Sequence, residues 1–481
     1  MAAGWRIGLA RFRVGLADRI RGHFDNPATG ALAAALLTGE RAAIPEPVVE
    51  DLRIAGLAHL LAISGLHMGL VAGALFFVLR FGLAAIPRLA LTRPIKKWAA
   101  IGALIGVLFY LILSGASIPS QRAFIMVGVG FVAVMIDRVA LSMRLVAFAG
   151  FLVVLFQPDA ILSAGFHMSF AAVAALIAVY ESLRDRPDSP LNRTGQHRML
   201  AYGIGLVLTS LVAGLATMPF AAYHFGRVSD YGLLANLMAV PLMGAWVMPV
   251  GLISLLATPF GLEAWPLQAM GWGIELIRQS AHFVAGLPGS EFGVKLAPPV
   301  VLILTGVALV WAVLWRGPLR FVSVIGFGAA LGLWMAAPRP DILISEEATL
   351  VAVRGADGGL SYSSLRRERF TREQWQRHDG DVANEAARAA RCDGSGCAFE
   401  TQAGEAVAYV TDWDGLAGEC RAAAVIITPL SVPDHLCPGA LVIDRWAIKE
   451  GGAHALRHTG LGWQVDRAAD HRGARPWSKS Q

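Results

Sequence analysis

Of 481 residues, 55% are hydrophobic and only 16% charged, with a mean hydropathy of +0.55. Soluble domains carry about 25% charged residues, so an ordinary globular chain and a disordered one are both excluded. The net charge of +6 is split: residues 1–337 hold 24 Lys/Arg and 15 Asp/Glu, and residues 338–481 hold 17 and 20, which predicts a basic membrane domain ahead of a near-neutral soluble tail.

The chain opens on WRIGLARFRVGLADRI, with five arginines between Arg6 and Arg21. That pattern predicts a basic amphipathic helix over residues 1–24, lying flat on membrane lipid. Without an apolar core followed by a small-residue cleavage site, no cleavable signal peptide is expected. Residues 25–337 then supply apolar runs of bilayer-crossing length (about 17–25 residues): 66–86, 98–113, 122–136, 145–156, 161–180, 200–218, 231–256, 299–315 and 321–336. A further run, 265–287, is interrupted by Glu275, Arg278 and His282. The fold expected is a polytopic α-helical membrane protein of about nine or ten spans, some re-entrant, with a small C-terminal α/β soluble domain.

Basic loops orient such a bundle, because Lys and Arg accumulate on the cytoplasmic side. Arg88, Arg93, Lys96 and Lys97 mark one loop, Arg138 and Arg144 the next, then Arg184, Arg186, Arg193 and Arg198, and finally Arg316 with Arg320. If 265–287 spans, all four fall inside and the tail emerges in the periplasm.

Within the apolar region, polar residues stand where aliphatic ones are expected. His59, Ser64 and His67 lie in HLLAISGLHMGLV. Charged groups in a membrane helix cost about 2.5–3.5 kcal/mol on insertion scales, so intramembrane ionisable residues mark function by default. The two histidines read either as hydrogen-bonded core groups, as the lining of a wet path, or as metal ligands. Gly65, Gly69 and Gly73, at every fourth position, fit close helix packing. Tyr110, His167, Tyr223, His224 and Asn236 are further candidates for a wet path, Asn236 also for interhelical glue. Arg41, Arg53, Arg122 and Arg227 are candidate phosphate contacts; Arg122 and Arg227 equally fit snorkelling to an interface.

Five segments occur in order: LLTGER (36–41), AGLAHLLAISGLHMGLVAG (55–73), SGASIPSQRAFIM (114–126) after Tyr110, GFHMSFAAV (165–173) and TMPFAAYHFGRVSDYGLLANLMAVPL (217–242). Together they resemble the ComEC family of competence proteins over residues 31–249. The resemblance implies passage of single-stranded DNA across the bacterial inner membrane during natural transformation. It also implies a separate DNA receptor, a separate nuclease and a cytoplasmic motor as partners, with a homo-oligomer open. Such a path needs cations near phosphates and faces that tolerate any base. A polytopic transporter for a smaller solute is the alternative, although no inverted repeat supports it. An intramembrane metalloprotease is disfavoured, since no H-E-x-x-H occurs.

The tail, 338–481, alternates in strand fashion at DILIS, TLVAVR, LSYSS, AVAYVTD, AVIIT and ALVID, with a helix expected over 371–391. Many relatives carry an outer OB-fold-type domain before the competence region and a metallo-β-lactamase-like domain after it. This sequence opens almost directly at the signature, so the first is expected to be missing. The second reads as degenerate: H-x-H-x-D-H, which holds two water-activating metals, is absent, and His454 with His458 is only a pair. No metal, cofactor or nuclease activity is therefore expected. Cys392, Cys397, Cys420 and Cys437 all lie in the tail, and an even number in a domain placed outside favours disulfides over buried thiols.

Overall fold

A computed structural model describes residues 2–61, 63–184, 198–381, 388–433 and 435–473. Arg186 and Arg193 of the third basic loop lie outside these residues. The chain divides into two compact units, residues 1–292 with 299–331 and residues 293–298 with 332–481.

The first unit is helical. In chain order it contains α1 (Ala2–Arg21), α2 (Pro27–Thr38), α3 (Glu46–Ile54), α4 (Gly65–Ala84), α5 (Pro87–Thr92), α6 (Ile95–Leu113), α7 (Ile118–Met135), α8 (Met143–Phe156), α9 (Ala164–Arg184) and α10 (Arg198–Phe225). After β1 (Arg227–Ser229) follow α11 (Gly232–Leu242), α12 (Met248–Ala257), α13 (Ala264–Ala285), β2 (Glu291–Gly293), which pairs with β1, then α14 (Pro299–Leu314) and α15 (Val322–Ala336). Among the described residues, seven helices are long and apolar enough to cross a membrane, and three further apolar helices are shorter. Two expected spans are among the short ones: α8 has 14 residues and α14 has 16, about 21 and 24 Å at 1.5 Å per residue.

Sequence periodicity does not single out the helix at the centre. Helix α2 is apolar on every side, and all its residues from Thr29 to Thr38 are buried. At 12 residues it is about 18 Å long. Asn26 caps it, its Oδ1 accepting from Ala28 N–H at 3.0 Å, and Pro27 occupies the first turn, where its missing N–H costs nothing. Helices α1, α12 and α13 pack around it. Leu16, Ala17 and Ile20 of α1 are buried in this core, so the basic helix docks one face on protein. Arg13 donates from Nη2 to Thr38 O at 3.2 Å and Arg19 pairs with Glu263.

The interrupted run 265–287 is one continuous helix, α13, with nine buried residues. Its polar side is engaged by protein: Thr29 Oγ1 donates to Glu275 Oε2 at 3.1 Å, and Asp51 Oδ2 lies 2.9 Å from His282 Nδ1. Helices α11 and α12 join through a π turn at Met243–Val247, flanked by Pro241 and Pro249. Each proline lacks the N–H an α-helix needs, and the wider turn absorbs the break.

The second unit is a sandwich of two sheets. Strands β3 (Ile342–Ile344), β4 (Val351–Arg354), β5 (Leu360–Tyr362), β6 (Arg388–Ala389), β12 (His454–Thr459) and β13 (Gly462–Arg467) order as β13-β12-β3-β4-β5-β6. Strands β7 (Arg391–Cys392), β8 (Gly396–Glu400), β9 (Ala406–Val410), β10 (Val425–Ile427) and β11 (Leu441–Ile443) order as β11-β10-β9-β8-β7. Alternation puts Ile342, Ile344 and Val353 of one sheet against Val407, Val425 and Ile427 of the other. Helix α16 (Arg369–Asp379) covers the outer face of the first sheet through Trp375, and α17 (Trp413–Ala422) that of the second through Leu416. The six strands expected from alternation all form. The helix expected over 371–391 stops at Asp379, where Gly380 takes φ 82°, and residues 388–389 and 391–392 are strands instead.

Cys392 bonds to Cys397 directly across β7 and β8, and Cys420 bonds to Cys437, tying α17 to the loop before β11. His454 and His458 sit on a strand. His454 is buried with Nδ1 2.7 Å from Gly452 O, and His458 pairs with Glu405 at 3.4 Å. Buried Arg354 is saturated: it meets Asp379 through two nitrogens at 3.0 and 2.6 Å, Gly358 O at 2.7 Å and Pro340 O at 3.1 Å.

Candidate nucleic-acid path

The five motif segments of the sequence lie in the first unit. LLTGER ends α2, with Gly39 as its cap at φ 76°, and a Cβ there would strike the Ser114 carbonyl. Only glycine meets both demands. Tyr110, buried on α6, donates from its hydroxyl to Leu36 O at 2.7 Å. Tyr110 therefore bolts α6 to the end of α2. Arg41, just beyond, is exposed and has no ion-pair partner among the described residues.

In the second segment His59 is exposed, with Nδ1 3.3 Å from Gly56 O. Ser64 caps α4, and its N–H and Oγ lie 3.1 and 3.0 Å from Nδ1 of fully buried His67. A backbone N–H can only donate, so Nδ1 accepts and the ring proton sits on Nε2. That Nε2–H is buried and finds no acceptor. The glycines correct an expectation. A Cβ at Gly65, Gly69 or Gly73 would meet nothing within 4 Å, so they do not serve close helix packing here. They leave α4 a smooth, open face.

Helix α7 starts after the Gly115–Ala116 turn, where both residues have positive φ. Ser120 Oγ donates to Ile63 O at 3.3 Å, fastening α7 to the loop before α4. Gln121 Nε2 donates to Ala116 O, and Gln157 Nε2 to Gln121 Oε1 at 2.8 Å. One turn in, Arg122 is 4% exposed, its Nε has no partner, and among the described residues no carboxylate pairs with it. Its guanidinium lies over Gly165 in the first turn of α9, where Cζ is 3.1 Å from the point a Cβ would occupy. An interfacial snorkelling arginine keeps its head in water; this one does not.

Helices α9 and α10 bring together His167 and His224, Nδ1 to Nε2 at 3.0 Å with rings 5.2 Å apart and nearly parallel. Phe220 stacks on His167 at 5.5 Å and Tyr223 meets His224 edge-on. Pro219 interrupts α10 just before this cluster. The remaining candidates are engaged elsewhere. Arg227 is held by Glu50 at 2.8 Å and Glu291 at 2.9 Å, and Arg53 by Glu46 and Glu50, both at 3.2 Å. Neither is a free cation. Asn236 Nδ2 donates to Gly232 O at 2.8 Å within its own helix, so it is not interhelical glue. Among the described residues no three His, Cys, Asp or Glu side chains cluster as metal ligands.

A family model described as "Competence protein" matches residues 36–319. The chain belongs to the competence protein family. It is 30% identical over 376 residues to "Competence protein ComA" of Neisseria gonorrhoeae, covering 75% of this chain and 48% of that protein. It is 28% identical over 223 residues to "ComE operon protein 3" of Bacillus subtilis (46% and 26%), and 32% identical over 236 residues to "Recombination protein 2" of Haemophilus influenzae (47% and 28%). The chain thus spans about half the length or less of these curated relatives. No solved structure matches.

All five segments lie wholly inside the competence match, and the geometry separates the candidate polar residues into three kinds. Tyr110 and Arg227 hold elements together, and Ser64 caps its own helix. His167 and His224 form an aromatic pair with Phe220. Arg122 Nε, His67 Nε2 and Ser229 Oγ present buried donors with no acceptor, and of the three only Arg122 carries a charge. Sequence reasoning missed Gly165, although its place at the head of GFHMSF was a signal. It also missed Glu50 and Glu291, whose only signal was an acidic residue close to a basic one.

Around Glu50, burial works against ionisation, but the hydrogen bond and charge of Arg227, then of Arg53, hold its carboxyl below the usual range. A depressed carboxylate contributes stability that is complete above its unfolded value, about 4.3, and is lost as pH falls through the folded value. Arg227→Ala should therefore cost about 2 kcal/mol at pH 7, less than the about 3–5 kcal/mol of a fully buried pair because Glu50 is part-exposed. Denaturation of the detergent-solubilised protein at pH 7 and at pH 3.5 checks this; the deficit should shrink at the lower pH.

Proposed function

We propose that this chain forms a polytopic channel for single-stranded DNA in the bacterial inner membrane, acting in natural transformation. The observation that carries the reading is Arg122, a buried guanidinium without a counter-charge, in a chain of the competence family. A positive group kept dry and unpaired costs free energy, and a passing polyanion offsets that cost only while it is there. Relatives named for competence and for recombination support the same substrate. The aromatic cluster of Phe220, Tyr223, His167 and His224 offers ring faces, which stack on any base.

A membrane setting is supported by the side chains the first unit leaves outside. Phe81, Phe109, Phe151 and Ile325 are 61–73% exposed, far more apolar surface than a water-facing unit carries. Two ion pairs support the orientation. Lys97 meets Asp137 at 2.6 Å and Arg316 meets Glu181 at 3.0 Å, which groups the basic loops in pairs at common ends, as a cytoplasmic assignment requires. On that reading the tail lies in the periplasm, where its two disulfides are stable. The two-sheet sandwich with outer helices supports a degenerate metallo-β-lactamase-like tail. Strand degradation, capture and driving force then fall to a separate nuclease, DNA receptor and cytoplasmic motor.

Thiol labelling of intact spheroplasts tests the orientation. Membrane-impermeant reagent should label the tail once reductant opens the disulfides. Labelling that needs a breached inner membrane would overturn the topology.

For the channel itself, a transformable host lacking its own channel should regain entry of labelled DNA when given the competence chain. Arg122→Ala should abolish that entry by at least tenfold while leaving expression and outer-surface DNA capture intact. Normal entry with the alanine variant removes Arg122 from the path, and failure of the wild-type chain to restore entry counts against the channel.

A further inference from the structure

We propose that Arg122 and the first turn of α9 form a binding site for a single phosphate group, and that a phosphodiester of the translocating strand fills it. The inference rests on the DNA-channel reading and deepens it.

Two positive ends converge at this point. The N-terminus of a helix carries about half a positive charge, spread over amides that have no intrahelical acceptor, and α9 runs 21 residues. Ser163 already caps Phe166, whose N–H donates to Ser163 Oγ at 3.2 Å. The two amides ahead of it, Ala164 and Gly165, have no acceptor among the described residues. Against Gly165 lies the guanidinium of Arg122, with Cζ and Nη1 3.1 and 3.2 Å from the position of an added Cβ. The side chain is 4% exposed and its Nε–H is unpartnered.

Two like charges would separate unless something negative is meant to lie between them. The fold shows how it treats a buried arginine that needs only a structural partner: Arg354 receives a bidentate carboxylate and two carbonyls. Arg122 receives none of these. A tetrahedral oxyanion fits both donor sets, since a guanidinium fork grips two of its oxygens and helix-terminal amides take a third. Gly165 is what lets the two approach. Phosphate is shared by nucleic-acid backbone and phospholipid headgroup, so the test has to separate those sources.

The full-length protein in maltoside micelles, which carry no phosphate, is unfolded thermally in chloride and in increasing inorganic phosphate at matched ionic strength. A ligand that binds only the folded state raises the midpoint in a saturating way. Wild type should show that rise, as should Arg366→Gln, which alters an exposed cation of the second unit. Arg122→Gln should show none, and Gly165→Ala, which narrows the cradle, should need at least tenfold more phosphate. Should Arg122→Gln fail to fold, the Gly165→Ala titration decides alone. A flat wild-type titration, or an unchanged one in Gly165→Ala, overturns the site.

The occupant is settled by competition. A single strand with native phosphodiesters should reproduce the rise and an uncharged methylphosphonate strand should not. If phosphatidylglycerol saturates the response and the native strand has no effect, the strand is not the occupant. Failure here leaves the DNA-channel reading standing, because that is decided by uptake into cells.

Discussion

The first unit is organised around a guanidinium that is removed from water without being neutralised. Burying Arg122 costs several kcal/mol of hydration, and hydrogen bonds to charged groups each return about 1.5–3 kcal/mol. The described residues supply no carboxylate to recover it. The neighbouring motifs hold the arginine's position: Ser120 ties α7 to Ile63, Gln157 holds Gln121, and Gly165 gives the side chain room against α9.

On the proposed channel reading, that arrangement separates scaffold from path. Tyr110, Arg13 and Gly39 lock α1, α2 and α6 together, the two side chains through bonds to the Leu36 and Thr38 carbonyls. The Arg227–Glu50–Glu291 group does the same for α3 and the β1–β2 pair. Among the described residues, the donors that remain unsatisfied include Arg122 Nε, the Nε2–H of His67 and Ser229 Oγ, and the glycine face of α4 is uncovered. A conduit has to keep such groups available, since a fully paired lining would bind nothing in transit. The His167–His224 pair lies between these cases, hydrogen-bonded in the plane of the rings while Phe220 stacks on one face.

Much of this was legible in the sequence. Long apolar runs gave the helices, alternation gave six tail strands, and the order of five motifs gave the family. Helix α2 was not legible as an element, because a helix buried on all sides has no periodicity to read and at 12 residues is too short to look like a span. The tail helix expected over 371–391 ends early because Gly380, in the left-handed conformation, stops it at Asp379. Strands β12 and β13 carry charged residues on their outer positions and escaped for that reason. Among candidate site residues, the sequence singled out polar groups but not their partners. Arg227 and Arg122 look alike in one dimension; one is clamped between carboxylates 177 and 64 residues away in the chain, and the other faces a glycine. The glycines of α4 misled in the opposite sense, since their spacing suits helix packing equally well as an open surface.

The central claim is that DNA passes beside Arg122. A photo-crosslinking amino acid placed at Phe166, next to Gly165, tests it most directly, with Phe109 on the apolar exterior as the control. A single strand is stalled in transit by a bulky group at its trailing end and the cells are illuminated. The account predicts protein–DNA adducts from position 166 and none above background from position 109. Adducts at 109 equal to those at 166, or none at 166 with a strand shown to be stalled, would contradict it.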